Sequence, residues 1–358
     1  MKQLIRSSAV LCAGLLTVTT LAGSASAATP ERDAAGWLAD QPTRGVVHNR
    51  QYDFDDYSLS ADIARALTTT GGERRTVRKI RTALAKNVGA WTGGYAGSPD
   101  VYAGQVAKAI VLAQETGAKP RSFGGVDLVA QLEGRVSASG ATTGRISDLT
   151  ESGDDYANVI GQALAAQGLA NAKSPLATPA LGFLLDQQCA KGYFRLYFAD
   201  ATAADQSCDA GPKVADPDAT AMAVLSLQAI EKPTRAVRVS IKDGVRWLKS
   251  RQRANGSFGG GVSTKAPNAN STGLAATALG QAGACKPAAK AAGWLRQLQV
   301  GNTAPAKRLE REVGAIAYNR AALGDGQKHG IVKETEYQWQ LATVQAAPAL
   351  KYLTKSAC

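Results

Sequence analysis

The stretch Trp247–Leu274, WLKSRQRANGSFGGGVSTKAPNANSTGL, decides the fold. It contains a Trp-Leu pair, then Gln252, and then a Gly-x-Phe segment that begins at Gly256. The same layout recurs with identical internal spacing at Phe183-Leu184, Gln188, Gly192 and Phe194. Less complete copies are Trp37-Leu38 with Gln41 and Gly45, Trp294-Leu295 with Gln299, and degraded copies near Leu84 and Leu132. Self-similarity at this period indicates an array of helical repeats.

The pattern [Trp/Phe]-Leu-x-x-x-Gln-x-x-x-Gly-x-Phe resembles the repeat of the terpenoid cyclase and protein prenyltransferase superfamily, which includes the squalene cyclases. The chain is also similar to secreted actinobacterial proteins described as prenyltransferase and squalene oxidase repeat proteins. This resemblance implies an all-α fold, a single α/α toroid of six helical hairpins with inner and outer rings, over residues 28–358. It implies no particular activity, because one fold hosts many chemistries.

Two kinds of helix are predicted from hydrophobic periodicity. From Val237 to Leu248 apolar residues recur at helical spacing with basic residues opposite, which is typical of an amphipathic outer helix. The segments 157–169, 219–227 and 272–279 are apolar or small nearly all round, which indicates inner helices. We expect an outer helix before each inner helix, and a closing segment over Tyr337–Tyr352. The inner helices are expected to start near Asp56, Asp100, Asp155, Asp218, Asn270 and Glu312.

The N-terminus has the features of a secretory signal peptide. Lys2 and Arg6 precede an apolar run from Ala9 to Leu21, and small residues follow up to Ala27. No later apolar stretch reaches the length of a membrane-spanning helix. The sequence therefore predicts a secreted, extracellular protein whose leader is residues 1–27.

The cysteines predict disulfides rather than a metal site. Loss of the leader removes Cys12 from the 5 cysteines of the chain and leaves an even number in an oxidising compartment. Three connectivities are possible. We favour the one in which Cys189 pairs with Cys208 across one inter-helix connection and Cys285 pairs with the terminal Cys358. Since there is no Cys-x-x-Cys motif and only 2 histidines are present, we expect no metal and no cofactor. The zinc ligands of the prenyltransferases have no visible counterpart.

The charge of the chain is strongly basic, with a formal net charge of +12. The basic residues are spread over the expected outer helices, for example at Arg74-Arg75, Arg78-Lys79 and Arg246. A solvated outer face explains this pattern, and contact with an anionic cell-envelope surface is a further expectation. Aromatic residues are not interleaved with the basic ones, so nucleic-acid binding is not indicated.

A candidate site follows from the toroid, because its inner helices run parallel and their N-termini gather at one mouth of the barrel. Helix capping explains one Asp, Asn or Ser at each helix start. It does not explain the doubled carboxylates at Asp55-Asp56 and Asp154-Asp155, which are our site hypothesis. The residues expected at this acidic mouth are Asp53, Asp55, Asp56, Tyr57, Ser98, Asp100, Tyr102, Asp154, Asp155, Tyr156, Asp216, Asp218, Asn268 and Asn270.

The leading functional interpretation is a secreted toroid that binds a small-molecule or glycan ligand at this mouth without catalysis, as the toroid of the cobalamin carriers does. One alternative is a terpene cyclase, because Asp53-Phe54-Asp55-Asp56 matches the Asp-x-Asp-Asp acid motif in which the middle aspartate, here Asp55, donates the proton. Against it, those cyclases place the cavity between two toroid domains, and aromatic residues are only 6% of this sequence.

The other alternative is a polysaccharide lyase or glycoside hydrolase, which needs paired carboxylates. Asp154 and Asp155 opposite Asp216 or Asp218 are the candidates for this chemistry. Nucleophile motifs such as Gly-x-Ser-x-Gly, and phosphate-binding loops, are absent from the sequence.

We predict that the leader is cleaved after Ala27, because small residues at Ala25 and Ala27 follow an apolar core of suitable length. The mature chain then begins at Ala28. N-terminal sequencing of protein recovered from culture medium measures this directly. A chain that begins at Met1, or one retained on the membrane through a lipidated Cys12, would contradict the prediction.

Overall fold

The computed structural model describes residues 29–303, 305–354 and 358, so the predicted leader lies outside the described residues. The helices are α1 Pro30–Asp40, α2 Tyr57–Thr70, α3 Arg74–Lys86, α4 Val88–Gly93, α5 Ala103–Glu115, α6 Leu128–Glu133, α7 Val159–Asn171, α8 Ala177–Asp186, α9 Pro217–Gln228, α10 Arg235–Arg251, α11 Ala269–Gln281, α12 Cys285–Arg296, α13 Arg320–His329 and α14 Lys333–Ala346. Strands β1 Val47–Asn49 and β2 Phe54–Asp56 form an antiparallel ribbon in which Val47 pairs with Asp56. Short 3₁₀ turns are Pro120–Ser122, Lys307–Leu309 and Ala347–Leu353.

The helices form two concentric rings. In the inner ring α2, α5, α7, α9, α11 and α14 each pack on the next, and α14 packs back on α2. Behind them α1, α3, α6, α8, α10 and α12 form the outer ring. The inner helix α7 is buried along almost its whole length, whereas α10 buries only Val237, Ser240, Gly244 and Leu248. The predicted all-α toroid of six hairpins is confirmed.

The repeat glutamines join neighbouring repeats through two carbonyl groups each. The Gln188 amide donates to Gly192 O at 2.9 Å and to Ser240 O of α10 at 3.0 Å. The Gln252 amide likewise donates to Gly256 O and to a carbonyl of α12. Gln299 donates to Pro30 O of α1 at 2.7 Å, so the last repeat is bonded to the first and the ring is closed.

The repeat glycines are required by their backbone conformation and by a close contact. Gly192, Gly256 and Gly314 have φ of 93°, 95° and 100°, a region that favours glycine. A Cβ at Gly192 would lie 2.7 Å from Asp243 O of α10, and the other two glycines face carbonyls of α12 and α1 in the same way. The recurrent spacing of residues in the sequence therefore reflects a repeated contact between a loop backbone and the next outer helix.

Hydroxyl groups then fix these loops to the inner ring. Phe194 N donates to Thr220 Oγ1 and Phe258 N donates to Thr272 Oγ1, each at 3.0 Å. Each threonine also donates to a carbonyl one turn earlier in its own helix, at Asp216 O and Asn268 O. Each loop is thus held between one inner helix and one outer helix.

The predicted inner-helix starts at Asp155 and Glu312 are wrong. Residues 150–158 form a loop, and α7 begins at Val159 after the cap Asn158. Glu312 lies in a turn where it accepts a 2.7 Å bond from the Trp37 indole, and this turn presents Gly314 to α1. The sixth inner helix is α14, in the segment that we expected only to close the ring. The start expected near Asp100 falls a little later, where α5 begins at Ala103.

Both predicted disulfides are confirmed. Cys189 pairs with Cys208 and Cys285 pairs with Cys358, with Cα–Cα distances of 4.9 and 5.7 Å. The second bond ties the terminal residue to the start of α12. Across the described ranges, none of the helices is long and apolar enough to cross a membrane.

Gly192→Ala is predicted to destabilise the fold by at least about 2 kcal/mol, because the methyl group meets Asp243 O and the residue must keep a left-handed φ. Gly182→Ala is the matched control in the same repeat. Gly182 is exposed within α8 and has open space at its Cβ position. That change should stabilise the protein by roughly 0.5–1 kcal/mol through helix propensity. Urea titrations measure both values, and a loss at Gly192 no larger than the change at Gly182 contradicts this account.

Candidate functional site

A cavity of about 1060 Å³ opens at the N-terminal ends of α2, α5 and α7. It contains six of the predicted site residues, and the sequence reasoning missed several others, among them His48, Trp91, Lys108 and Asp148. We call it the mouth cavity. The predicted residues that line it are Asp53, Asp55, Asp56, Tyr57, Tyr102 and Tyr156.

The β1–β2 ribbon presents two carboxylates on one histidine. His48 Nδ1 lies 3.0 Å from Asp55 Oδ1, and His48 Nε2 lies 3.2 Å from Asp53 Oδ1. The hydrogen bond to Asp55 is the main cause of a raised pKa for the His48 imidazole. The Asp55 side chain is 52% exposed. Asp55 is therefore a solvent-exposed partner of a histidine.

The two members of the Asp55-Asp56 pair have different roles. Asp56 caps α2, where its carboxylate accepts from Leu59 N at 2.7 Å. Burial raises the pKa of Asp56, and this rise is opposed by the Leu59 bond and by the charge of Lys108. Capping thus accounts for Asp56, whereas Asp55 lines the cavity with its carboxylate on His48.

Asp148 lines the mouth cavity and caps α5, a role that the sequence did not reveal. Its carboxylate accepts from Ala103 N at 2.7 Å, at the start of α5, and from Tyr156 N at 3.0 Å. Burial raises its pKa. The helix α5 is therefore capped by a residue 45 positions away in sequence. No local pattern could identify such a cap.

Asp154 and Asp155 belong to the loop 148–157 and do not open an inner helix as we expected. Asp155 forms an ion pair with Arg145 at 3.0 Å and accepts from Asp148 N at 3.0 Å. Asp154 accepts from the Tyr156 hydroxyl at 3.3 Å, and its charge raises the pKa of that tyrosine. Asp100 holds the same loop through Glu151 N at 2.9 Å. The doubled acids here stabilise a loop beside the cavity.

Aromatic side chains are concentrated at the mouth cavity, although they are few in the chain as a whole. Of the 5 Trp, 10 Tyr and 6 Phe in the sequence, six residues line this one space. The low aromatic content therefore does not describe the walls of the site. The six residues are Phe54, Tyr57, Trp91, Tyr95, Tyr102 and Tyr156.

A second space of about 450 Å³ lies between the inner helices, and we call it the lumen. Lys108, Ile160 and Leu164 line both spaces, so the lumen adjoins the mouth cavity along this wall. On the side of α2 and α5 the lumen is lined by two ion pairs, Lys108–Asp62 at 2.9 Å and Arg65–Glu115 at 2.8 Å. The walls on α7, α9 and α11 carry apolar side chains interspersed with polar ones such as Gln167, Ser226 and Thr277. The apolar side chains include Ile160, Leu164, Met222, Leu225 and Leu274.

The remaining predicted residues divide between capping and the lumen. Asp216 caps α9 by accepting from Asp218 N and Ala219 N, each at 2.9 Å, and Asn268 caps α11 through Ser271 N at 2.8 Å. The residues two positions later, Asp218 and Asn270, line the lumen together with Asn268. Among the described residues, the buried Oδ1 atoms of Asp218 and Asn270 have no hydrogen-bond partner.

Burial raises the pKa of Asp218 to about 6, with a smaller contribution from the charge of Asp216 and an opposing one from the Ser271 hydroxyl. The loop over this carboxylate is rich in glycine. A Cβ at Gly260 would collide with the Asp218 carboxylate, so the loop backbone lies directly against it. Asp218 is thus a titrating acceptor in the wall of the lumen. In the part of the chain that the structure describes, no three His, Cys, Asp or Glu residues are grouped to hold a metal ion.

Asp218→Asn is predicted to stabilise the protein near neutral pH and to have little effect below pH 4. Because the folded pKa of Asp218 is raised to about 6, its contribution to stability is present at low pH and is lost as the pH rises through that value. The gain at pH 7.5 should approach about 3 kcal/mol at most. Urea titrations from pH 4 to 7.5 measure it.

Asp216→Asn provides the control for this series. It makes the same chemical change at the α9 cap, where an amide oxygen accepts the same two bonds. The loss of stability between pH 4 and 7 should persist in this variant. Equal pH profiles for wild type and Asp218→Asn would show that burial of Asp218 is not the cause.

Among solved structures, similar chains share the toroid at low sequence identity. A protein from Actinoplanes is 18% identical with a TM-score of 0.61, over 90% of this chain and 98% of that one. The type II terpene cyclase MstE from Scytonema is 16% identical with a TM-score of 0.59, over 90% of this chain and 97% of that one. A variant of a glycosidase is 10% identical with a TM-score of 0.55, over 90% of this chain and 96% of that one. No protein-family model matches the sequence, and no curated protein does.

The MstE comparison corrects one expectation from the sequence. The expectation is that such cyclases place the cavity between two toroids, yet this single toroid covers 97% of the MstE chain. One toroid is therefore enough for a protein described as a type II terpene cyclase. At these identities the comparisons establish the fold, and the chain has the α/α-toroid fold of the type II terpene cyclases.

Proposed function

We propose that the protein binds a small molecule with an apolar body and a cationic or hydrogen-bond-donating group in the mouth cavity and the lumen. The observation that carries this proposal is that the two adjoining spaces end in buried acceptors without partners among the described residues, Asp218 Oδ1 and Asn270 Oδ1. An unpartnered buried acceptor is costly, and a ligand that supplies a donor removes this cost.

The charge of the site selects against anionic ligands. Asp53, Asp55 and Asp148 line the mouth cavity, and Lys108 is neutralised by its ion pair with Asp62. Aromatic faces beside carboxylates favour a cationic group, because the ring quadrupole attracts positive charge. A ligand with a carboxylate or phosphate would be repelled at the entrance.

The size and walls of the lumen fit the apolar part of such a ligand. A volume of about 450 Å³ is within the usual range for small-molecule sites. The apolar side chains that α7, α9 and α11 contribute to this lining provide the burial that drives binding. The two disulfides support a location in an oxidising compartment, as expected for a secreted protein.

A second candidate function is acid-initiated cyclisation of a terpenoid. It is favoured by the position of Asp53-Phe54-Asp55-Asp56 at an aromatic-lined cavity and by the fold shared with MstE. Against it, Asp55 is half exposed and bonded to His48, so the candidate acid faces solvent rather than an enclosed cavity. An open cavity would also let water capture a carbocation. Ligand binding is therefore the function that the geometry supports best.

The glycan-cleaving alternative has less support. Asp155 is committed to Arg145 and to loop amides, and Asp216 is committed to the cap of α9. Of the carboxylates considered for that chemistry, Asp218 is the one that faces the lumen, whereas Asp154 is exposed beside the mouth. A matched acid and base pair across the cavity is not formed by these residues.

The proposal predicts a preference among ligands that differ only in the head group. Three compounds with the same prenyl chain of about fifteen carbons, a size suited to such a cavity, carry an amine, an alcohol or a carboxylate. The amine should bind at least about ten-fold more tightly than the carboxylate, because the mouth is acidic. Isothermal titration calorimetry measures the affinities. Equal affinities for amine and carboxylate contradict the proposal.

A bulky substitution at a residue that lines both spaces tests where the ligand binds. Ile160→Trp should abolish binding of all three compounds, since Ile160 is half-buried and lines both spaces. Val239→Trp adds the same indole at a residue that is 50% exposed on α10, and it should leave binding unchanged. Both variants should keep the wild-type melting profile. Binding that survives Ile160→Trp would place the ligand elsewhere.

The same protein samples distinguish ligand binding from the second candidate function, terpenoid cyclisation. Under the leading proposal, a linear polyprenyl compound is recovered unchanged after incubation, as judged by gas chromatography and mass spectrometry. Cyclic products that form with wild type and disappear with Asp55→Asn would instead support the cyclase function. Asp218→Asn in that assay shows whether the lumen carboxyl takes part.

A further inference from the structure

A second concave site lies beside the mouth cavity, between the loop 42–46 and helix α3. This cleft has a volume of about 870 Å³ and meets the mouth cavity at His48, Asp55 and Asn87. Its walls carry five cationic side chains, which we call the basic cleft residues: Arg44, Arg75, Arg78, Lys79 and Lys86. The structure thus gathers on one surface basic residues that the sequence suggested were spread over the outer helices.

The basic cleft residues have no ion-pair partner within the described ranges, in contrast to arginines elsewhere. Arg50 pairs with Glu336, Arg145 with Asp155 and Arg246 with Asp243. The acid at the edge of the cleft is Asp55, and its carboxylate is already bonded to His48. Like charges one turn apart on a helix repel each other. Arg75, Arg78 and Lys79 are spaced in this way on α3, so their repulsion raises the free energy of the unliganded protein.

One of these cations, Arg44, also has a strained backbone conformation. Arg44 has a φ of 57°, in the left-handed region, and is followed by Gly45 with a φ of 90°. The turn closes through a bond from Val46 N to Thr43 O at 3.1 Å. Asn or Gly suits the first of these positions better than Arg. A strained cation at the rim of a cleft is an observation that points to function.

We propose that the basic cleft binds a linear polyanion with closely spaced phosphate groups. From Arg75 to Lys86 the helix spans roughly 17 Å, which is longer than one diphosphate and fits several phosphates in a row. Guanidinium groups bind phosphate oxygens in a bidentate manner. The concave shape favours a flexible chain over a flat membrane surface.

The walls of the cleft also disfavour nucleic acid. Among the described residues, no Phe, Tyr or Trp lines it, whereas single-stranded nucleic acids are held by bases stacked on aromatic side chains. The acidic mouth cavity next to it repels the same polyanion. The two sites therefore select ligands of opposite charge, and the cleft is independent of the function proposed for the lumen.

Binding of fluorescein-labelled linear polyphosphate, followed by anisotropy, tests this inference. Wild type should bind a long chain at least ten-fold more tightly than diphosphate, and the affinity should fall steeply as salt increases. Arg75→Gln with Arg78→Gln should weaken chain binding at least ten-fold. Lys242→Gln with Lys249→Gln removes the same charge from two exposed positions on α10, and it should change the affinity less than two-fold.

Several outcomes would overturn the proposal. Equal losses in the two double variants would mean that net charge alone attracts the polyanion. Diphosphate that binds as tightly as the chain would indicate a small anion site. Tighter binding of single-stranded DNA, or of vesicles rich in anionic lipid, would assign the cleft to those partners.

Arg44→Gly provides an independent test that separates function from folding. Glycine adopts the φ of 57° without strain, so the melting temperature should stay the same or rise. The affinity for polyphosphate should nevertheless fall several-fold, because a cation is lost from the rim of the cleft. Unchanged affinity would contradict a role for Arg44, and a lower melting temperature would show that the arginine stabilises the turn instead.

Discussion

The contact between a left-handed glycine and the carbonyl of the next outer helix is the constraint on which the toroid depends. Gly192, Gly256 and Gly314 let the loop backbone approach this helix at a distance that no side chain allows. The repeat glutamine then donates one hydrogen bond to the glycine carbonyl in the loop and another to a carbonyl of that outer helix. Gln188, for example, bonds Gly192 O and Ser240 O of α10. Each repeat is thereby fixed to the next, and Gln299 on Pro30 closes the ring.

This constraint also determines where a site can form. With the loops fixed between two rings, the N-terminal ends of α2, α5 and α7 line the mouth cavity, and those of α9 and α11 line the lumen. Side chains just outside the helices, such as Asp55 and Tyr156, then line the mouth cavity, while those in the first turn, such as Asp218, point to the lumen. In α9 the capping residue Asp216 and the lumen residue Asp218 are therefore only two positions apart in sequence.

The fold could be predicted from the sequence because the fixed spacing of Trp, Gln and Gly reflects one local contact that recurs in each repeat. The disulfides were predicted on other grounds, because Cys189 and Cys208 flank one inter-helix connection and Cys285 and Cys358 are the remaining two cysteines. Other contacts between distant segments could not be predicted from the sequence. Asp148 caps α5 from another loop, Glu312 binds Trp37 across the ring closure, and the cations of α3 face Arg44 only once the chain is folded.

The segment 42–56 lies between two opposite electrostatic environments, the basic cleft and the acidic mouth cavity. Arg44 at its start faces the cations of α3, and Asp53 and Asp55 at its end face the aromatic side chains of the mouth cavity. His48 lies between them and is held by both carboxylates. Its pKa is raised by these acids, so a positive charge persists at the boundary to higher pH than in a free histidine. His48 is thus the residue of the hairpin at which the basic cleft and the acidic mouth cavity meet.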